Sequence, residues 1–230
     1  MIKAIVFDLD NTLYAYDPCH AAGFRAVTDY AAAELGIAPE TFPALHREGD
    51  RLLRAHAGEN AAAIHSRLIR YQLILEMLGL PIFHAPRMEK RYWDAFFAEV
   101  RPEPGTRETL LALREQGFRI GVGTNMTASQ QYEKLRLLSL LELIDFMVCS
   151  EEVNAEKPEA KLFARCVEKA GCAAGECLFV GDDPERDIGG ALAAGLPAVW
   201  LRRFDAGEAP AGVAVIQKLD ALPDLLTAMK

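Results

Sequence analysis

The sequence predicts an open α/β fold, a parallel sheet with helices on both faces, into which one wholly helical region is spliced. Three observations carry this. Short apolar runs recur at Ile5 to Phe7, Phe118 to Gly123, Phe146 to Cys149, Cys177 to Val180 and Ala198 to Leu201. Most are nearly continuous and rich in β-branched or aromatic residues, as strands buried on both faces are. From Pro104 onward a helix-length stretch separates each run from the next, the alternation that builds a parallel sheet. Between the first run and the second, from about Cys19 to Val100, no such run occurs. The predicted organisation is a Rossmann-like core of residues 1–16 and 98–230, with a four-helix, all-helical insert of residues 17–97.

The first strand stops at Asp8, and Asn11 to Pro18 form a polar and aromatic exit from it. The insert then reads as four helices. The first runs to Gly36 and the second lies between Pro39 and Gly58, where glycine is a helix stop. The third spans about Asn60 to Leu78, with Ile64, Leu68, Tyr71, Leu75 and Leu78 at spacings of three and four, and the fourth spans about Pro86 to Val100. A helix from Thr106 to Gln116 leads into the second strand, which closes on Thr124 and Asn125. After the third strand a loop carries Ser150 to Lys157, and a helix is expected from Pro158, a residue favoured at the first helical position. The fourth strand closes on Gly181-Asp182-Asp183. A helix from Ile188 to Ala194, a fifth strand, a short strand at Val213 to Ile216 and a helix from Leu219 to Met229 complete the chain.

Length and composition set the bounds. At 230 residues and 51% hydrophobic content the chain can build a full core. A formal charge of -8 argues against a broad nucleic-acid or acidic-membrane surface, though not against an anionic substrate at a site of local positive charge. The five cysteines are odd in number, irregularly spaced and without a Cys-x-x-Cys pair, the pattern of reduced thiols. The N-terminal apolar run is too short for a signal peptide, and no segment approaches the roughly 20 residues of a membrane span. A soluble cytoplasmic protein is expected, and the sequence carries no signal for its oligomeric state.

The chemistry collects at one edge. In a parallel sheet the C-terminal ends of the strands face one crevice, where ligands bind. Here those ends leave Asp8 and Asp10; Thr124 and Asn125; Lys157; and Asp182, Asp183 and Asp187. Two carboxylates about 4 Å apart repel by about 1–4 kcal/mol, and a hard cation such as Mg2+ is the simplest compensation. Thr124, Asn125, Lys157 and the helix ends that follow them supply an anion pocket beside it. A phosphate ester with Mg2+ fits both halves. Gly121-Val122-Gly123 lacks the full dinucleotide fingerprint and reads as room for backbone near the site. The five histidines all fall in the insert, at no metal-ligand spacing.

Taken together, Asp8-Leu9-Asp10-Asn11-Thr12-Leu13, Thr124-Asn125, Lys157-Pro158 and Gly181-Asp182-Asp183-Pro184-Glu185-Arg186-Asp187 resemble, in order and spacing, the motifs of the haloacid dehalogenase-like (HAD) hydrolase superfamily, in the subclass with a helical cap after the first strand. The resemblance implies a Mg2+-dependent phosphatase acting on a small phosphorylated metabolite. It makes Asp8 the nucleophile that forms an aspartyl-phosphate and Asp10 the general acid and then base. It gives Mg2+ to Asp8, the carbonyl of Asp10 and Asp182, and the phosphoryl oxygens to Thr124, Asn125 and Lys157. Asp187 then positions Lys157 or the metal's waters. Asp183 stands where Ser is common; it adds a carboxylate near the metal or caps the next helix, the second being favoured. Tyr14, Tyr16 and Asp17 lie where the chain leaves the core for the insert and suit a hinge or substrate gate. Arg67 and Arg70, three apart and so on one helix face, read first as solvated charges and second as contacts to a substrate anion. A 2-haloacid dehalogenase, which needs only the first Asp, and a phosphomutase are the alternatives within the superfamily. A phosphate-accepting signalling domain or a non-catalytic binding protein are the remote ones.

Overall fold

The computed structural model describes residues 1–59, 61–203 and 207–228, and the chain forms two compact units. One comprises Met1–Ala15 and Arg101–Lys230, the other Tyr16–Val100.

The first unit is built on β1 (Ala4–Phe7), every residue of which is buried. With β2 (Arg119–Thr124), β3 (Phe146–Cys149), β4 (Cys177–Gly181), β5 (Ala198–Leu201) and β6 (Ala214–Ile216) it forms a six-stranded parallel sheet in the order β3-β2-β1-β4-β5-β6. Phe7 stands level with Val122 on one side and Val180 on the other. The sheet grows outward from β1 in both directions, so the switch point lies at its C-terminal end. Gly121 and Gly123 make room for rings rather than for backbone. A Cβ at 121 would stand 2.3 Å from the Phe146 ring, and one at 123 would stand 2.9 Å from Phe179.

The second unit holds α1 (Tyr16–Leu35), α2 (Phe42–Ala57), α3 (Arg67–Met77) and α4 (His84–Glu99). Tyr16 and Asp17 belong to the first turn of α1 rather than to a loop, and Pro18 is tolerated there because first-turn N–H groups have no intrahelical partner. The expected third helix is split. Ala62–His65 is a 3-10 turn, and Ser66, in an extended conformation, accepts the Ile69 N–H on its Oγ (3.3 Å) and starts α3 afresh. Asn60 and Met229, ends of two expected helices, lie outside the described residues. The Tyr16 ring lies 5.5 Å from that of Phe96, so the start of α1 meets the last turns of α4.

In the sheet unit follow α5 (Thr106–Glu115), α6 (Ala128–Leu137), α7 (Ser150–Val153), α8 (Ala160–Ala170), α9 (Gly190–Ala193) and α10 (Leu222–Ala228). The helix expected at Pro158 begins at Ala160, and the segment expected as a loop from Ser150 opens with α7. Glu103 donates its N–H to Leu13 O (3.2 Å) and Tyr14 bridges Pro102, which ties the exit of β1 to the chain entering α5. Among the described residues no helix is long and apolar enough to cross a membrane.

Candidate active site

Asp8 is the first residue past β1, its N–H bonded to Val180 O (2.9 Å) and its side chain buried. Lys157 Nζ lies 2.5 Å from Asp8 Oδ1 and 2.7 Å from Asp187 Oδ1, and all three side chains are buried. Thr12 Oγ1 donates to Asp182 Oδ1 (3.1 Å), and the Asp182 carbonyl accepts the Trp200 indole N–H (2.9 Å). Asp187 can reach this cluster because Gly181 has no side chain. A Cβ there would fall 2.2 Å from Asp187 Oδ2.

Carboxylate oxygens of Asp8, Asp182 and Asp187 lie within 4.8 Å of one another. Burial pushes the Asp8 carboxyl well above its usual range; Lys157 opposes this, while Asp187, Asp182 and Asp10 add to it. Burial, with Asp187 beside it, pushes Asp182 up to about 7. Burial works against the Lys157 ammonium too, but Asp187 and Asp8 outweigh it and hold its pKa above the ordinary lysine value. Three carboxylates thus share one ammonium. An all-oxygen donor set with surplus negative charge suits a hard divalent cation.

Asp10, two residues on, has a separate setting. Asn11 turns the chain with φ +63°, a conformation Asn tolerates better than most residues. Lys134 Nζ, from α6, lies 2.7 Å and 3.0 Å from the two Asp10 oxygens and is fully buried. The Tyr14 hydroxyl donates to Asp10 Oδ1, and Gln131 Nε2 lies 3.4 Å from Oδ2. Burial pushes Asp10 up, but the Lys134 charge and the hydrogen bonds from Lys134, Tyr14 and Gln131 prevail and hold it below the usual carboxylate range.

Lys134 and Gln131, which hold the Asp10 carboxylate, are residues that the sequence reading missed. The signal was available: Gln131, Lys134, Leu135 and Leu138 follow the i, i+3, i+4, i+7 spacing of a buried helix face. Thr12 was passed over inside the first motif. Tyr14, expected at a gate, is fully buried with its hydroxyl committed to Asp10.

Thr124 Oγ1 accepts from Gln131 Nε2 (2.6 Å) at the end of β2. Asn125 braces Lys157 rather than pointing a free amide outward. Its Oδ1 accepts the Lys157 N–H (2.7 Å) and its Nδ2 lies 3.4 Å from the Lys157 carbonyl. At the N-terminus of α6 the Ala128 N–H is taken, donating to Glu151 Oε2 (2.8 Å). Asp183 caps the next turn, accepting the N–H groups of Glu185 (3.0 Å) and Arg186 (2.8 Å) on Oδ1.

Tyr16, Arg67 and Arg70 belong to the helical unit. The reading of the arginines as solvated charges is corrected: they are 5% and 8% exposed. Arg67 lies 4.0 Å over the Tyr92 ring and 4.4 Å from that of Trp93, and its Nη2 donates to the hydroxyls of Tyr92 (2.8 Å) and Tyr16 (3.2 Å).

A family model for haloacid dehalogenase-like hydrolases matches residues 2–195. The ribulose-1,5-bisphosphate 5-phosphatase of Halopiger xanaduensis is 38% identical over 212 residues, covering 90% of this chain and 87% of its own. A glyceraldehyde 3-phosphate phosphatase of Methanopyrus kandleri is 34% identical over 210 residues, covering 88% and 85%. A crystal structure of a 2-haloacid dehalogenase from Pseudomonas syringae matches over 100% of both chains with a TM-score of 0.80 at 27% identity.

Proposed function

Because the chain belongs to the haloacid dehalogenase-like hydrolases, we propose that it is a Mg2+-dependent phosphatase that cleaves a small soluble phosphomonoester through an aspartyl-phosphate on Asp8. The observation that carries this reading is the division of two neighbouring carboxylates between two settings. Asp8 is bonded to Lys157 within the three-aspartate cluster, whereas Asp10 is held by Lys134, Tyr14 and Gln131. Two acids in different environments are suited to two roles.

In this mechanism an Asp8 oxygen attacks phosphorus and the bond to the ester oxygen breaks. The departing alkoxide takes a proton from the Asp10 cluster. Asp10 itself is held ionised there, so the Lys134 ammonium and the Tyr14 hydroxyl are the protons at hand. Asp10 then accepts a proton from the water that attacks the aspartyl-phosphate, which frees Asp8 and releases inorganic phosphate. Lys157 offers its charge to the phosphoryl oxygens, with Thr124 and Asn125 beside it. Asp8, Asp182 and the carbonyl of Asp10 would hold Mg2+, whose charge offsets the repulsion between these carboxylates and a phosphate. Asp187 and Asn125 keep Lys157 in place.

The substrate class is supported by relatives named for small phosphorylated sugars. The name of the solved relative raises dehalogenation as the second reading. That chemistry would leave Asp10 and the three side chains around it without a task. Turnover of an aryl phosphate by purified protein should require Mg2+, vanish in Asp8→Asn, and fall by about 10²–10⁴-fold in Asp10→Asn. Full activity in Asp8→Asn overturns the nucleophile. Wild-type turnover of a 2-haloacid by Asp10→Asn would replace the phosphatase reading with the dehalogenase one.

A further inference from the structure

We infer that the helical unit carries an anion site of its own, built on Arg67 and Arg70, that takes a phosphate group. A cavity of about 310 Å³ lies wholly within that unit, near the low end of small-molecule sites. Its lining is cationic or hydrogen-bonding: Arg47, Arg67, Arg70, His20, His46 and His65. The one carboxylate in the lining, Asp50, is shared between Arg70 (2.6 Å) and Arg54 (2.8 Å).

Arg67 carries the argument furthest. Among the described residues no carboxylate lies within ion-pair distance of it, although it is 95% buried by its 5% exposure. Tyrosine hydroxyls and aromatic faces engage its Nη2 and its plane, but its Nε has no acceptor. The Nε of Arg70 is buried and unpartnered as well. Natural folds bury a cation only when something compensates it. Two forked donors with spare N–H groups beside a polar cavity match the oxygens of a phosphate. His46 adds to this. A guanidinium can only donate, so His46 accepts from Arg70 Nη1 through Nε2 (3.4 Å) and carries its own proton on Nδ1. Burial and the neighbouring arginines hold His20 and His46 neutral, at about 4 and about 3, so both act as polar groups rather than as further cations.

The site stands whether or not the phosphatase reading does, and its first test does not use activity. All five histidines lie in the helical unit, so imidazole NMR signals report on that unit alone. Inorganic phosphate, titrated without Mg2+ against chloride at matched ionic strength, should shift His20, His46 and His65 saturably and leave His56 and His84 in place. Arg67→Gln and Arg70→Gln should each weaken the saturation by about tenfold or more. The wild-type titration needs no variant to fold. No saturable shift, or equal shifts at all five histidines, overturns the site.

The phosphate group has two possible sources, a second phosphate on the substrate or a free anion. For a substrate group, kcat/KM for a sugar bisphosphate relative to the matching monophosphate should fall about tenfold in Arg67→Gln. For a free anion, inorganic phosphate should alter wild-type turnover of the monophosphate beyond the product inhibition that Arg67→Gln still shows. If the ratio and the phosphate response are both the same in the variant and the wild type, the site is overturned.

Discussion

In the sheet unit Asp8, Asp10, Asp182 and Asp187 meet two buried ammonium groups, and each ammonium is bonded to carboxylate oxygens. In the helical unit Arg67 and Arg70 are buried almost as deeply, yet among the described residues only Arg70 has an acid within ion-pair distance. Charge paired inside the fold is part of what the fold requires. Charge left without a counter-ion stays available to something that arrives later. The two units also divide by sign: surplus carboxylate around the candidate metal position, surplus cation around the helical cavity.

Substituting one buried cation in each unit by a hydrophobic side chain of similar length would break the comparison most directly. Lys134→Met leaves the Asp10 carboxylate buried without its cation and should destabilise the protein by about 3–5 kcal/mol. Arg67→Met breaks no ion pair among the described residues and should cost clearly less stability than Lys134→Met. Chemical denaturation measures both; equal losses would show that Arg67 is a structural cation like Lys134. The next effect is steric. In Gly181→Ala the new methyl must displace the Asp187 carboxylate, at a cost of about 1–3 kcal/mol. Lys157 then loses a partner, so phosphatase turnover should drop with stability.

Acid should separate the units. His20 and His46 have folded pKa values, about 4 and about 3, below their usual 6.5, so the unfolded chain binds more protons in between. Stability from these histidines is therefore complete above about pH 6.5 and is lost as pH falls toward those values, by an amount on the order of 1 kcal/mol each after allowance for their partial exposure. Amide exchange at pH 7 and pH 5 should show the helical unit loosening first, and His46→Gln should reduce the difference. The smallest effect sharpens the roles among the acids. Asp183→Ala removes a helix cap and should cost about 1 kcal/mol in a thermal melt, with Asp183→Ser restoring most of it.

The strand ends and their carboxylates were legible in the sequence because each strand is a short apolar run that ends on its polar residues. β1 stops at Phe7 and Asp8 follows at once. Four motifs in order then gave the family. What stayed hidden depends on burial that local sequence does not fix. Lys134 and Gln131 are polar residues in a helix that would look solvated, and only the packing of α6 turns them onto Asp10. The arginines of α3 were read as surface charges because nothing adjacent announces Tyr92 and Trp93, which cover Arg67 from another helix. The split at Ser66 was missed because the apolar spacing runs on through it, while the cap that starts α3 is a single hydroxyl.

The junction of the two units bears on how such a chain can fold at all. On the sheet side, Leu13 and Tyr14 are tied to Glu103 and Pro102. On the helical side, Tyr16 meets Phe96. The insertion therefore leaves and rejoins the sheet unit through neighbouring strands of chain. Once its helices have formed, the entropy of closing the loop between β1 and α5 resembles that of a short connection, and even an unformed insert adds only logarithmically to it. β1 can find β2 across the whole helical unit with little kinetic penalty. The same closeness makes residues 15 and 101 a natural place to exchange one helical insert for another while leaving the sheet and its acids intact.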